Sequence, residues 1–185
     1  MSSNLPPNVV AFANMFPAAR VCRIISVYTG ELLDYQPNLQ LGTAVPQVVL
    51  NAESTGDPYW LIIAYGNGQV LVPVPKDGSK TVRYLAASAF EAGVSPTLSP
   101  FPVSWVIMPF QTSRIPPNSQ TPLPVTTPPG LYEQWNAIIH YPYFEPNTVL
   151  APSGTGTGPN HQMSITSYNV APNQAYWFWT FQFIQ

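Results

Sequence analysis

The sequence predicts an all-β fold built from three copies of one β unit. Three observations carry this expectation. Prolines number 23 among 185 residues, and no run of ten or more residues keeps helical periodicity without Pro or Gly. Proline removes a backbone donor and clashes with the preceding turn, so such density disfavours helices. Short apolar doublets recur, each followed across a turn by a second apolar run. Each unit closes on an aromatic cluster that contains tryptophan, such as Tyr59-Trp60.

The composition fits a folded chain. Charged residues make up 8% and apolar residues 45%. Disordered chains combine low hydrophobicity with high charge, the reverse of this balance. The length suits one domain with a real core. Formal net charge is -2, and the six basic residues are scattered. That leaves no footprint for nucleic acid or an anionic membrane, which need clustered Lys and Arg. No apolar run approaches membrane-spanning length. The N-terminus lacks a basic region ahead of its weak apolar stretch, and prolines interrupt it. A cytoplasmic location is therefore expected, with a mature secreted chain as the alternative. The lone Cys22 cannot form an internal disulfide, which favours a reducing compartment.

Residues 1–19 read as an irregular arm, broken by Pro6-Pro7 and Pro17, with Val9, Val10, Phe12 and Phe16 covering part of the body. The first unit, residues 20–60, has two strand-like runs, Ile24 to Val27 and Glu31 to Asp34, split by the turn Tyr28-Thr29-Gly30. A third run spans Val45 to Leu50, and a polar loop from Asn51 to Asp57 leads to Tyr59-Trp60. The second unit, residues 61–110, opens on Ile62-Ile63. Its turn Gly66-Asn67-Gly68 is a strong hairpin signal, because Asn and Gly tolerate positive φ. Leu71 follows the second doublet at the same spacing, eight residues, as Leu33 follows the first. The third unit, residues 131–185, opens on Ile138-Ile139, and Leu150 comes eleven residues on. Such self-similarity signals a supersecondary unit repeated around a shared core. The second unit closes on Ser104-Trp105 and the third on Tyr176-Trp177-Phe178-Trp179. One tryptophan per repeat marks a core layer, since buried aromatics contribute large areas.

Between the second and third units, residues 111–130 hold six prolines and no periodicity. They read as a long inserted loop, partly polyproline-like. The glycine-rich run at 154–158 lacks the lysine and helix of a phosphate-binding loop, so it reads as a flexible connection.

Three units of a hairpin, a strand, a variable loop and a terminal tryptophan look like a β-trefoil. The first unit resembles the sugar-binding repeat of ricin B-chain-like lectins, including their fungal members. Repeats of that family carry an Asp after the first hairpin, a Gln-x-aromatic about thirteen residues on, and a closing Asn-Gln-x-Trp. Here Asp34 ends Leu-Leu-Asp, Gln47 lies thirteen residues later, and Asp57-Pro58-Tyr59-Trp60 closes the unit. Asn173-Gln174-Ala175-Tyr176 is similar to the closing motif in the third unit. The chain departs from the pattern at Val49, where the stacking aromatic falls, at Pro58, and at Val72 and Ala151, where Asp is absent. The resemblance implies a lectin with glycan or glycoprotein partners and metal-independent, shallow loop pockets. The second unit would not bind.

The residues give a physical basis for the same expectation. A sugar needs a carboxylate or amide to accept from neighbouring hydroxyls, an amide to donate back, and an aromatic face. Asp34, Gln47, Asn51 and Asp57 supply polar groups, with Tyr35 or Tyr59 as the face. Asn160, Gln162 and Asn173 form a second candidate set in the third unit. Asp34 and Asp57 would equally serve as turn residues bonding their own backbone.

No other chemistry competes well. The two histidines, His140 and His161, and one cysteine form no metal-ligand spacing. No nucleophile elbow is present. Eight acids, mostly at turns, do not suggest the carboxylate pair of a glycosidase. No enzyme, cofactor or metal is expected. Two further readings stand beside the lectin. A β-trefoil protease inhibitor would present the proline-stiffened loop around Arg114. A structural or assembly subunit would bury aromatic surface in an oligomer, with a homodimer compatible with these features and a jelly roll as its alternative fold.

Overall fold

The computed structural model describes residues 5–36, 47–51, 58–87, 89, 93–110, 131–142, 148–153, 161–167 and 177–184. The expected loop 111–130, with Arg114, lies outside them.

The arm contains one short helix, α1 (Pro7–Ala13), rather than being irregular throughout. Pro7 sits in the first turn, where a missing N–H is one of the orphan donors and the ring's fixed φ suits the helix. Val9 and Phe12 are 2% and 3% exposed. They pack with Val21, Leu61, Val70, Val72 and Val74, as a covering role predicts.

Among the described residues the other regular elements are strands, and they fall into three sets of four. The first set is β1 (Arg20–Ser26), β2 (Leu32–Gln36), β3 (Gln47–Asn51) and β4 (Trp60–Tyr65). The second is β5 (Gly68–Pro73), β6 (Tyr84–Ala87), β7 (Pro96–Ser99) and β8 (Val106–Phe110). The third is β9 (Leu131–His140), β10 (Thr148–Pro152), β11 (His161–Ser167) and β12 (Trp179–Ile184).

The first and last strands of each set close a ring. Antiparallel pairing runs β1 to β4, β4 to β5, β8 to β9, β9 to β12 and β12 back to β1. The gap between β5 and β8 is bridged by Gln69 and Trp105, which exchange backbone hydrogen bonds of 2.8 and 2.7 Å. The middle strands form the hairpins β2–β3, β6–β7 and β10–β11, linked where β3 pairs with β7 and β11. A closed barrel capped by three hairpins is a β-trefoil.

One bond repeats three times and fixes the internal register. The indole Nε1–H of Trp60 donates to the Leu33 carbonyl at 2.8 Å, that of Trp105 to Leu85 at 2.8 Å, and that of Trp179 to Leu150 at 3.0 Å. All three tryptophans are fully buried. Each ties the start of a barrel strand to its cap hairpin. Across the hairpins Leu33 pairs with Leu50, Leu85 with Leu98, and Leu150 with Ile165, and all six join one core.

This register corrects the expected repeats in two places. The doublet Ile62-Ile63 belongs to β4, the last strand of the first set, so that set runs past residue 60. The equivalent of Leu33 is Leu85, not Leu71. The reason is the turn Gly66-Asn67, which joins two sets rather than two strands of one. Tyr65 pairs with Gly68 across it, and Gly66 takes φ +58°. The position matching Asp34 in the second repeat is therefore Ala86, not Val72, while Ala151 keeps its place in the third.

Candidate functional site

The cap of the first repeat carries a polar cluster around Asp34, at a position where the second and third repeats have Ala86 and Ala151. Asp34 lies on β2 directly after Leu33, and its side chain is completely buried. Its Oδ1 accepts from the Tyr35 backbone N–H at 2.7 Å. Its Oδ2 accepts from Asn51 Nδ2 at 3.3 Å and from Lys76 Nζ at 2.7 Å. Asn51 ends β3 and is 8% exposed. Lys76 comes from the connection between β5 and β6, and its side chain keeps 36% exposure. A carboxylate taken out of water is costly unless paired and hydrogen-bonded, and here both conditions are met.

The connection that delivers Lys76 is a tight turn. Gly78 has φ +71°, and its N–H donates to the Pro75 carbonyl at 3.4 Å. The Ser79 N–H bonds the Asp77 carboxylate at 2.9 Å, and the bonds from Ser79 hold that exposed acid below its ordinary pKa. The Lys76 backbone N–H donates to the Tyr35 hydroxyl at 3.3 Å, and Lys76 Nζ stands 5.9 Å from the ring centroid. The second repeat thus reaches over the cap of the first and clamps both Asp34 and Tyr35.

Tyr35 is half-buried. Burial pushes its phenol above the ordinary range, the bond from the Lys76 N–H opposes this, and Asp77 and Asp34 add to the rise. The hydroxyl stays neutral at physiological pH. It accepts from Lys76 and keeps a hydrogen to donate.

Gln162 enters from the third repeat. Asp34 pairs with Val49 on β3, and Val49 pairs with Gln162 on β11, so the three lie in line across neighbouring strands. Directly paired residues share a face of a sheet, and two strand spacings are about 10 Å. The Gln162 side chain is exposed. Val49 is 4% exposed and offers no stacking face.

Of the residues expected from the sequence, Asp34, Tyr35 and Asn51 come together, with Gln162 alongside. Gln162 thus stands two strands across the sheet from Asp34. The backbone of Gln47 pairs with Gln36 and Thr97 in the same hairpin cap. Asp57, Asn160 and Asn173 lie outside the described residues. Because Trp179 rather than Tyr176 matches Trp60, the frame of the closing motif in the third repeat falls three residues beyond Asn173. Lys76 is the residue that sequence reasoning missed. Pro75-Lys76-Asp77-Gly78 reads as a turn, but nothing local joins it to a residue 42 positions away.

Other titratable groups serve the fold. Burial pushes the Cys22 thiol far up, with the Arg20 charge opposing, so it is an inert core residue. Burial lowers the pKa of His140. Among the described residues, no group of three or more His, Cys, Asp or Glu is placed to hold a metal. No helix among them is long and apolar enough to cross a membrane.

A scan against protein-family models finds no match, and neither does a search of curated proteins. Among solved structures, the chain is similar to the crystal structure of a designed 3-fold symmetric protein, ThreeFoil. The TM-score is 0.53 at 12% identity, covering 89% of this chain and 98% of that one. At that identity the likeness speaks to the fold alone, and it agrees with the threefold register of the tryptophans.

Proposed function

We propose that this chain binds carbohydrate, metal-independently, through the cap of its first repeat. One observation carries the reading. At three equivalent positions of the trefoil stand Asp34, Ala86 and Ala151, all buried, at 0%, 4% and 0% exposure. The architecture is satisfied by alanine twice, so the fold does not require a carboxylate there. A buried ion pair is weak evidence for stability, since apolar replacements are often as stable. Its presence in one repeat alone is accounted for by what it holds at the surface.

Asp34 is fully buried and bonded to its own partners, so it orients donors rather than meeting a sugar itself. The Lys76 ammonium carries three hydrogens, of which Asp34 takes one. The Tyr35 hydroxyl has a hydrogen to give, and its ring supplies an apolar surface for sugar C–H groups. Gln162 adds an exposed amide about 10 Å from Asp34, a span that suits a second sugar unit. Shallow sites of this kind gain affinity from a few oriented polar groups around an aromatic.

The test is a glycan array with the full chain and the variants Tyr35→Phe and Asp34→Ala, each checked by thermal unfolding. A coherent set of glycans should bind the parent. Binding should fall about tenfold in Tyr35→Phe, the worth of one lost hydrogen bond, and further in Asp34→Ala. An empty array, or binding indifferent to both changes, contradicts the reading.

A further inference from the structure

Donors and acceptors at the first-repeat cap are unequal in number. A carboxylate offers about four lone-pair sites. Three bonds already reach Asp34, from the Tyr35 backbone N–H, Asn51 Nδ2 and Lys76 Nζ, and its side chain is completely buried. Asp34 therefore presents no acceptor to a ligand. Among the described residues, Lys76 Nζ has Asp34 as its one hydrogen-bond partner, and the side chain keeps 36% exposure. An ammonium carries three hydrogens, so two are left to give. The Tyr35 hydroxyl accepts from the Lys76 backbone N–H at 3.3 Å, and its own hydrogen is left to donate. Together these two residues offer a ligand three hydrogens and one partly used oxygen.

That imbalance decides which ligand group is satisfied there. A sugar hydroxyl that accepts from Lys76 brings a hydrogen of its own, which needs an acceptor. A carbonyl-type oxygen brings none. Two common sugar substituents carry such an oxygen, the acetamido group and the carboxylate. Charge separates them. Beyond burial and the bond from the Lys76 N–H, the negative charges of Asp77 and Asp34 both act on the Tyr35 hydroxyl. A third carboxylate there meets two like charges, and the Lys76 ammonium is already paired with Asp34 at 2.7 Å. The ring separates them again. Lys76 Nζ stands 5.9 Å from the Tyr35 ring centroid. The oxygen and methyl carbon of an acetamido group are about 2.4 Å apart. An oxygen held about 2.8 Å from Nζ can bring that methyl into contact with the ring. A carboxylate has no methyl to place there.

We propose that the cap selects glycans by an acetamido substituent, as carried by 2-acetamido-2-deoxy sugars. The inference rests on the sugar-binding reading of this cap and names the group it recognises. The acetamido oxygen accepts from Lys76 Nζ, and its methyl lies against the Tyr35 ring. The Tyr35 hydroxyl donates to a neighbouring oxygen of the same sugar. Asp34 is a positioning residue, because its bond to Nζ fixes where the other two hydrogens of Lys76 point.

The experiment titrates the full chain with N-acetylglucosamine and N-acetylgalactosamine, and separately with glucose, galactose and the matching uronic acids, following backbone amides by NMR. At least one N-acetylated sugar should shift Tyr35 and Lys76 in a saturable way. It should bind at least about tenfold tighter than its parent hexose, the advantage expected of a hydrogen bond to a charged donor. The matching uronic acid should bind no tighter than the hexose. Tyr35→Phe should weaken the N-acetylated sugar and the hexose alike and keep their ratio. Lys76→Met should bring that ratio close to one, with thermal unfolding confirming that the variant is folded. Equal affinity for the N-acetylated sugar and the hexose overturns the inference. So does a uronic acid that binds tighter, or a ratio that survives Lys76→Met. In each of those cases shifts at Tyr35 and Lys76 leave the cap reading intact. Absence of any saturable shift overturns the inference too, and the cap reading falls with it only where the glycan array is also empty.

Discussion

Removing Lys76 and removing Asp34 should have unequal consequences. Lys76→Met keeps the aliphatic stem but leaves the Asp34 carboxylate, fully buried, with only Asn51 and the Tyr35 N–H. Breaking a fully buried pair from one side costs about 3–5 kcal/mol. Lys76 retains 36% exposure, so water can reach the vacated side, and the expected loss is about 2–3 kcal/mol. Asp34→Ala instead installs the residue found at both equivalent positions. It releases Lys76 to solvent and removes one partner of Asn51, a cost of about 1 kcal/mol. The double variant should match Asp34→Ala, so the penalty of Lys76→Met vanishes once the carboxylate is gone. Urea unfolding of the four proteins at pH 7 measures this directly. If Asp34→Ala costs as much as Lys76→Met, the carboxylate is a structural strut, and the argument that its presence needs a functional account fails.

Three other outcomes follow from the fold. Trp60→Phe, Trp105→Phe and Trp179→Phe should each cost about 2–4 kcal/mol in urea unfolding, from a lost carbonyl partner and a partial cavity. A much smaller loss at one site would break the threefold equivalence. Gly68→Ala should destabilise by at least about 2 kcal/mol, because its Cβ would fall 2.3 Å from the Trp105 carbonyl oxygen and 2.5 Å from Ser104 Oγ. Stability equal to the parent would refute that close approach. His140 has its pKa lowered from the ordinary 6.5 by burial, so the unfolded chain binds the proton more readily. Its contribution is complete above pH 6.5 and is lost as pH falls through the lower, folded value. Replacement by Gln should flatten that part of the stability profile, and an unchanged slope would contradict the linkage.

What the sequence showed, and what it hid, follows from the range of the interactions. Tryptophans near the ends of three units were visible because large aromatics at strand starts mark core layers. Which of Trp177 and Trp179 belonged to the layer became clear only from the bond to Leu150. The hairpin at Gly66-Asn67 was legible from its turn chemistry, but its place in the repeat was not. A two-residue turn looks the same whether it lies inside a unit or joins two. Ala86 is silent in sequence, so the equivalence to Asp34 had to come from the register set by Leu85. The helix at Pro7 was missed because proline was read as a breaker, although at a first turn it favours helix. Asp34, Tyr35 and Asn51 were named from residue type and the repeat resemblance, with Asn51 read as the start of a loop; the β2–β3 pairing, which sets Leu32 opposite Asn51, is what brings them together. Lys76 was not, because its approach depends on how the second repeat folds back over the first.

The central claim is that the first-repeat cap binds glycan, and mapping that site is its most direct test. A glycan selected on the array is titrated into the full, isotope-labelled chain. The account predicts saturable shifts at the amides of Tyr35, Asn51, Lys76 and Gln162, with Gln69 and Ile107 at the far end of the barrel unchanged. Shifts confined to the second or third repeat, or none at saturating sugar, would contradict it.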